Sequence, residues 1–380
     1  MASLSSGRSA SQLKILVLQD HLRSGGTERQ SILLANAFAS AGHDSTLLTF
    51  RPRGALRPTV HPNVRQIALQ PFDTTFDWFA PRLISRVRNL APDIVLCMGR
   101  MGNCYAGTLQ RALPSTSIIS TLRTGKPLPL LFRRSLHRVH HIVANSRAAR
   151  DLLVRAHAVP AEKISVIPNS LVFPPLPDEG AVPPPPVSAP DLRTAHQASP
   201  ATFLLLNVAM FRPEKNQREL IEIVATLSPT FDVQLWLAGE GPARAACERL
   251  VSEKQLSARV KFLGFVRDPS PLYAAADAAV HASTSESLSN FFIEAQAHGL
   301  PCVAYDVQGI DETFLPNHTG WVIPRGDRSA FRAALERLAA LAASDRAALS
   351  TDARTFARNT FDSSRQVAAY LDLFALLRSS

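Results

Sequence analysis

LKILVLQDHLRSGGTERQSILLANAFASAGHDSTLLTF, residues 13 to 50, decides the fold. LKILVLQ, 13 to 19, is a short apolar run, the stretch from about Glu28 to Ala41 has helical spacing, and DSTLLTF, 44 to 50, is a short apolar run again. Strand, helix, strand in that order is a βαβ unit, and such units build parallel sheets.

The same grammar continues outward. VRQIAL (64 to 69), DIVLCM (93 to 98), SIISTL (117 to 122), HIVAN (141 to 145) and ISVIP (164 to 168) read as strands, with helical stretches near 79 to 90, 104 to 112 and 146 to 156. One doubly wound domain is complete by about residue 172. A second series starts with ATFLLLNVA (201 to 209) and runs through DVQLWLAG, RVKFLGFV, AAVHAS, PCVAYD and GWVIP, with helices expected at 214 to 227, 243 to 255 and 290 to 298. Between the two, residues 174 to 200 contain nine of the 28 prolines, without apolar periodicity. Such a stretch reads as a linker or an exposed loop. The expected organisation is therefore an α/β chain of two Rossmann-like domains, 1 to 172 and 201 to 358, joined by a Pro-rich linker at 173 to 200. A C-terminal helix at 359 to 380 is expected to pack back on the first domain. Ligands of open α/β sheets bind beyond the carboxyl ends of the strands, so function is sought in the cleft between the domains.

Composition narrows the classes. The chain has 380 residues, 46% of them hydrophobic and 19% charged, which is globular composition. Cys97, Cys104, Cys247 and Cys302 lack paired metal-ligand spacing, so a reducing cytoplasm is expected and a metal site is not. No window approaches the roughly 20 apolar residues of a membrane span, and MASLSSGRSASQ is no signal peptide. The formal charge of +10 calls for an anionic partner. Much of it lies between Arg123 and Arg155, where eight Lys or Arg face one acid, Asp151. Neither zinc-finger spacing nor a basic strand rich in aromatics is present, which disfavours nucleic acid. PLLFRRSLHRVHHI, 129 to 142, interleaves Leu130, Leu131, Phe132, Leu136 and Val139 with Arg133, Arg134 and Arg138. It reads either as an amphipathic helix lying on anionic lipid or as a helix with one packed face and solvated cations.

The loops that follow strands carry the chemistry. Gly25 and Gly26, before a helix opened by Thr27, suit both a tight turn and a close ligand approach at a positive helix end. They do not form G-x-G-x-x-G, so a nicotinamide enzyme is disfavoured. In NVAMFRPEKNQ, Arg212 and Lys215 follow a strand at a helix start, either as solvated cations or as a clamp on a diphosphate. WLAGEGPAR brings Gly239, and FLGFVRD brings Val266, to strand ends whose glycines suit either plain turn formation or an exposed backbone that reads the edge of a planar base. In STSESLSNFFIEAQA, Glu286 and Glu294 flank the N–H groups of Ser287, Leu288, Ser289 and Asn290 at a helix start. An anion site with a carboxylate on each side suits a diphosphate carrying hydroxyls at both ends. A carboxylate set in NFFIEAQA is paired or used.

In this order and spacing, GGTERQSILLANAFASAGH, IVANSRAARDLL, KISVIPNS, RPEKN, AGEGP, FLGFV, YAAADAAVHAS, ESLSNFFIEAQAHGLPCVAYDVQGIDE and GWVIP resemble the retaining glycosyltransferases of family 4, which have the GT-B fold. The resemblance implies metal-independent transfer of a sugar from a nucleotide-diphosphate sugar, a UDP-sugar being favoured, to a glycan or lipid-linked acceptor. No other cofactor is implied. Arg212 and Lys215 would hold the diphosphate, Glu294 the ribose and Glu286 the transferred sugar. The backbone from Ser287 to Asn290 would meet the phosphates and sugar, and that near Val266 the base, with Gly25 and Gly26 across the cleft near the donor phosphate and acceptor. Arg123 stands at or near the place where many members carry a sugar-contacting histidine. Ser287 and Ser289 replace the usual Gly and Pro, and Asn169-Ser170 the usual Asn-Gly. A GT-B-fold epimerase, or a silent sugar-nucleotide-binding protein, would share much of this pattern. The expected location is cytoplasmic, with the basic first domain on the inner face of the membrane.

Overall fold

The computed structural model describes residues 12 to 23, 25 to 173 and 189 to 379. The first unit runs β1 (Lys14–Gln19), α1 (Gly26–Ser40), β2 (Asp44–Thr49), β3 (Arg65–Ala68), α2 (Leu83–Leu90) and β4 (Ile94–Cys97). It continues with α3 (Arg100–Ala112), β5 (Ser117–Leu122), α4 (Leu130–Leu136), β6 (His141–Ala144), α5 (Arg147–His157) and β7 (Ile164–Val166). Its seven strands form one parallel sheet in the order β3-β2-β1-β4-β5-β6-β7.

The second unit comprises α6 (Ala189–Ala195), β8 (Phe203–Val208), α7 (Gln217–Thr226), β9 (Val233–Ala238), α8 (Arg244–Glu253), β10 (Val260–Gly264) and α9 (Ser270–Ala275). β11 (Ala278–His281), α10 (Asn290–Ala297), β12 (Cys302–Tyr305), β13 (Gly320–Ile323), α11 (Arg328–Ala339), α12 (Ala343–Phe361) and α13 (Ser363–Ser379) complete it. The sheet order is β10-β9-β8-β11-β12-β13, again all parallel. Central strands such as β4, β6, β9 and β12 are buried on both faces, which is why they read as continuous apolar runs rather than alternating ones.

Both sheets reverse direction of growth in the middle, between β1 and β4 in the first and between β8 and β11 in the second. Loops leaving the carboxyl ends of two such strands diverge to opposite faces and open a crevice. The Arg212 to Lys215 turn leaves β8, and the loop with Glu286 leaves β11. The topology therefore brings together two stretches more than seventy positions apart.

Three sequence expectations need correction. Residues 174 to 188 of the expected linker lie outside the described residues, but Ala189–Ala195 is helical, and Leu192 and Ala198 pack with Trp236, Leu272 and Tyr273 in the second unit's core. A Pro-rich composition hid this short apolar edge. The helix expected at 214 to 227 begins at Gln217, because Asn216 takes a left-handed φ of 50° and separates it from a 3-10 turn at Pro213–Lys215. The amphipathic stretch 129 to 142 is no continuous helix, since α4 ends at Leu136 and His141 already belongs to β6. Phe132, Leu136 and Val139 are core, while Leu130 and Leu131 stand in solvent.

The chain crosses back at Asp362. Leu171 and Phe361 are joined there by a backbone bond of 2.8 Å, and Tyr370, Leu373, Phe374 and Leu377 of α13 pack with Leu13, Leu34 and Phe38 of the first unit. All four cysteines are buried thiols. Among the described residues no helix is long and apolar enough to cross a membrane.

Candidate functional site

A cavity of about 1400 Å³ lies between the two units. Every residue singled out from the sequence lines it: Gly25, Gly26, Arg123, Arg212, Lys215, Gly239, Val266, Glu286, Ser287, Leu288, Ser289, Asn290 and Glu294.

The loop after β11 forms one wall. Among the described residues no group accepts from the backbone N–H of Ser287, Leu288, Ser289 or Asn290, and Ser289, at the N-cap of α10, makes no side-chain cap bond. These donors and the positive end of α10 therefore face the cavity without a protein partner. Leu288 points the other way, into a small core with Ile293, Ala357 and Phe361, and so pins the loop. Ser283 Oγ and Thr284 N both donate to the carbonyl of Glu214, at 2.8 Å each, tying this loop to the cation turn.

Glu286 is buried, with 9% of its side chain exposed. Its Oε1 accepts from Lys215 Nζ at 2.5 Å and from His281 Nε2 at 2.7 Å. Asn207 Nδ2 approaches His281 Nδ1 at 3.2 Å, which fixes the tautomer with the proton on Nε2. Burial opposes ionisation of Glu286, but Lys215 and the His281 donor outweigh it and hold the carboxyl at about 2. Burial pushes the imidazole of His281 down, so it serves as a neutral donor. Sequence reading missed His281, although a histidine inside the buried strand AAVHAS was a visible signal.

Glu294 is set apart from that cluster. Burial raises its pKa, offset in part by the Tyr273 hydroxyl, which donates to Oε2 at 2.6 Å, and by the charge of Arg29. Tyr273 is itself buried and stacks on His298, with centroids 4.8 Å apart. Tyr273 escaped the sequence reading because PLYAAAD looks like ordinary helix. The side chain of Arg212, by contrast, has no hydrogen-bond or ion-pair partner among the described residues and lines the cavity.

Glycines allow the close approaches. At Gly239, with φ 141°, an added Cβ would strike the Ala209 carbonyl. A Cβ on Gly26 would lie 2.5 Å from Asn290 Nδ2, so the glycine pair lets the start of α1 meet the start of α10. Gly125 is as tight, for its Cβ would collide with the carbonyl of Glu286. The sequence did not mark Gly125, because its neighbour is 161 positions away in a different unit.

Arg123 lines the cavity but is committed elsewhere. Its guanidinium donates to Asn169 Oδ1 and, at 2.7 Å, to the Tyr370 hydroxyl on α13. Asn169 in turn donates to Asn290 Oδ1 at 2.6 Å. Through these bonds Arg123 links the crossing helix to the start of α10, while still lining the cavity. Further ties hold the two units together: Lys126 to Glu214 at 2.5 Å, Ser287 Oγ to Asn145 Oδ1 at 2.6 Å, and the carboxylate of Glu312, which caps α5 through Arg147 N and Ala148 N.

Comparison with known proteins agrees with this geometry. Residues 202–340 match the family described as glycosyl transferases group 1, and residues 24–171 match glycosyltransferase family 4. Lipopolysaccharide core biosynthesis glycosyltransferase LpsD of Rhizobium meliloti is 32% identical over 194 residues, 51% of this chain and 54% of that relative. LpsE of the same organism is 32% identical over 137 residues, 36% of this chain and 39% of the relative. The chain thus aligns with about half or less of the length of these relatives. The crystal structure of Anabaena Alr3699/HepE in complex with UDP and glucose superimposes with a TM-score of 0.78 at 21% identity, covering 96% of this chain and 100% of that one. The fold is therefore GT-B. The chain belongs to the group 1, family 4-type glycosyltransferases.

Proposed function

We propose that the protein transfers a sugar from a nucleotide-diphosphate sugar, a UDP-sugar being favoured, to a hydroxyl of a glycan or lipid-linked acceptor, with retention and without a metal. The observation that carries this reading is the wall of free N–H groups from Ser287 to Asn290, with Arg212 and Lys215 beside it and a buried carboxylate at either end. Anionic oxygens of a diphosphate suit the N–H groups and the cations. Glu294, with one oxygen held by Tyr273, keeps the other for ribose hydroxyls, and Glu286 keeps Oε2 for the sugar. The names of LpsD and LpsE support a place in lipopolysaccharide or surface-glycan assembly. The UDP and glucose in the HepE complex support the donor class.

In this mechanism the bond between the anomeric carbon and the diphosphate oxygen breaks, and the acceptor oxygen bonds to the carbon on the same face. The acceptor proton passes to the departing diphosphate. Arg212, Lys215 and the end of α10 stabilise the charge that builds on the leaving group. The acceptor enters from the first unit, past Gly25 and Gly26, and the basic surface of that unit favours an anionic membrane on the cytoplasmic side.

Mass spectrometry of a nucleotide-sugar panel, with and without a lipid-linked glycan extract and with a chelator present, tests the reading. Nucleotide release with a sugar-extended product supports it. Isomerised sugar without release, or binding with neither outcome, overturns it.

A further inference from the structure

PFDTTFDWF, residues 71 to 79, is built the opposite way round from an ordinary surface loop. Its aromatic side chains face solvent: Phe72 is 69% exposed, Phe76 53%, Trp78 58% and Phe79 38%. Neighbouring rings tile together, with centroids 5.6 Å apart for Phe76 and Trp78 and 6.2 Å for Trp78 and Phe79. Polar groups brace the shape. Gln70 Nε2 donates to the carbonyls of Phe76 and Phe79 at 2.9 and 2.7 Å, and Arg51 grips Asp73 at 2.7 Å and Asp77 at 2.8 Å. Tyr105 of α3 donates to the Trp78 carbonyl at 2.7 Å. An exposed apolar patch that is held rigid marks a contact surface.

The surroundings identify the partner. Arg82, Arg86 and Arg88 follow directly, all exposed and without an acid partner among the described residues. The two acids of the loop are consumed by Arg51 and Arg23. Exposed arginines in the segment that directly follows the Trp and Phe residues suit the headgroup zone of an anionic bilayer, where aromatic rings settle and cations meet phosphate. Arg23, which binds Asp77 at 2.7 Å, also lines the main cavity, so the patch stands next to its mouth in the first unit.

We propose that the 71 to 79 loop is a membrane-docking platform that inserts Phe76 and Trp78 into the headgroup region of an anionic phospholipid bilayer. Its purpose rests on the transferase reading, since docking would present the cavity to acceptors held in the membrane, but lipid binding is measured independently of transfer.

Trp78 is a built-in probe, because Trp236 is fully buried, Trp321 is half-buried, and the chain has three tryptophans. The full-length protein is floated with phosphatidylcholine vesicles, with and without phosphatidylglycerol, while tryptophan emission is recorded. Co-flotation with phosphatidylglycerol vesicles and a blue shift of emission are expected. The Phe76→Ser/Trp78→Ser variant should lose about tenfold or more in partitioning while binding UDP as the wild type does, so a failed docking idea and a failed nucleotide site give different results. The proposal is overturned if the wild type does not float, or if the variant floats equally well. A blue shift produced by soluble glycan alone, or by self-association that the variant abolishes, overturns it too.

Discussion

Lys215 Nζ lies 2.5 Å from Glu286 Oε1, so one of the two cations proposed to hold the diphosphate is paired with the carboxylate proposed to hold the sugar. Arg212 is free to engage an arriving phosphate, whereas Lys215 is presented in a fixed direction by an anion behind it. That arrangement makes Glu286 a structural group as well as a ligand group, and its pH dependence follows.

The Glu286 carboxyl is held at about 2, below its ordinary value of 4.5, so it contributes stability above 4.5 that is lost as pH falls toward 2. Denaturant unfolding of wild type and Glu286→Gln across that pH range should show a steeper acid loss in the wild type. Parallel curves would remove the ion pair from the account.

Glu294 has the opposite sign. Its pKa is raised by burial, so the ionised form costs stability once pH exceeds that value, and removing the charge should help the fold. Glu294→Gln is expected to raise the melting temperature at neutral pH, yet to weaken UDP-sugar binding by about tenfold to a hundredfold, the worth of hydrogen bonds to a charged group. Calorimetry and thermal scans read both. A variant that binds the donor as tightly as wild type would detach Glu294 from the ribose.

His281 touches Glu286 from behind, so its effect should travel through that carboxylate. His281→Leu is expected to lower kcat about tenfold with little change in donor KM, and to move the acid limb of the pH profile upward as Glu286 loses a donor. His281→Gln, which can still donate, should recover part of the rate. A variant altered in stability alone would make His281 merely a packed core residue.

Gly26→Ala tests the meeting of the two units. Its Cβ would press on the Asn290 amide, so turnover should fall while UDP affinity, proposed to rest mainly on the second unit, changes little. Asn290→Ala in the same chain makes room and should restore part of the turnover. Full activity in Gly26→Ala alone would mean that the working state does not close this far.

Much of this was legible in the sequence because parallel strands buried on both faces write themselves as short apolar runs, and loops after such strands are where chemistry collects. Glu286, Glu294, Arg212 and Lys215 stood out for that reason. The partners of those groups did not. Tyr273 meets Glu294 across 21 positions, and Gly125 meets Glu286 only because two domains fold against each other. Sequence shows Arg123 as a cation at a strand end but not Asn169 and Tyr370 holding it. The aromatic loop at 71 to 79 went unread because exposure depends on which side chains Arg51 and Gln70 pull inward. The helix expected at 129 to 142 failed because His141 and Ile142, at its end, belong to the buried strand β6.

The central claim is that this cleft moves a sugar from a nucleotide to a hydroxyl on the face the nucleotide leaves. Proton NMR of a single reaction with a UDP-sugar, its acceptor and excess EDTA tests that claim most directly. The account predicts free UDP and glycoside in equal amounts, with the anomeric coupling of the product matching that of the donor. A product of inverted anomeric configuration, or a reaction that EDTA abolishes, would contradict it.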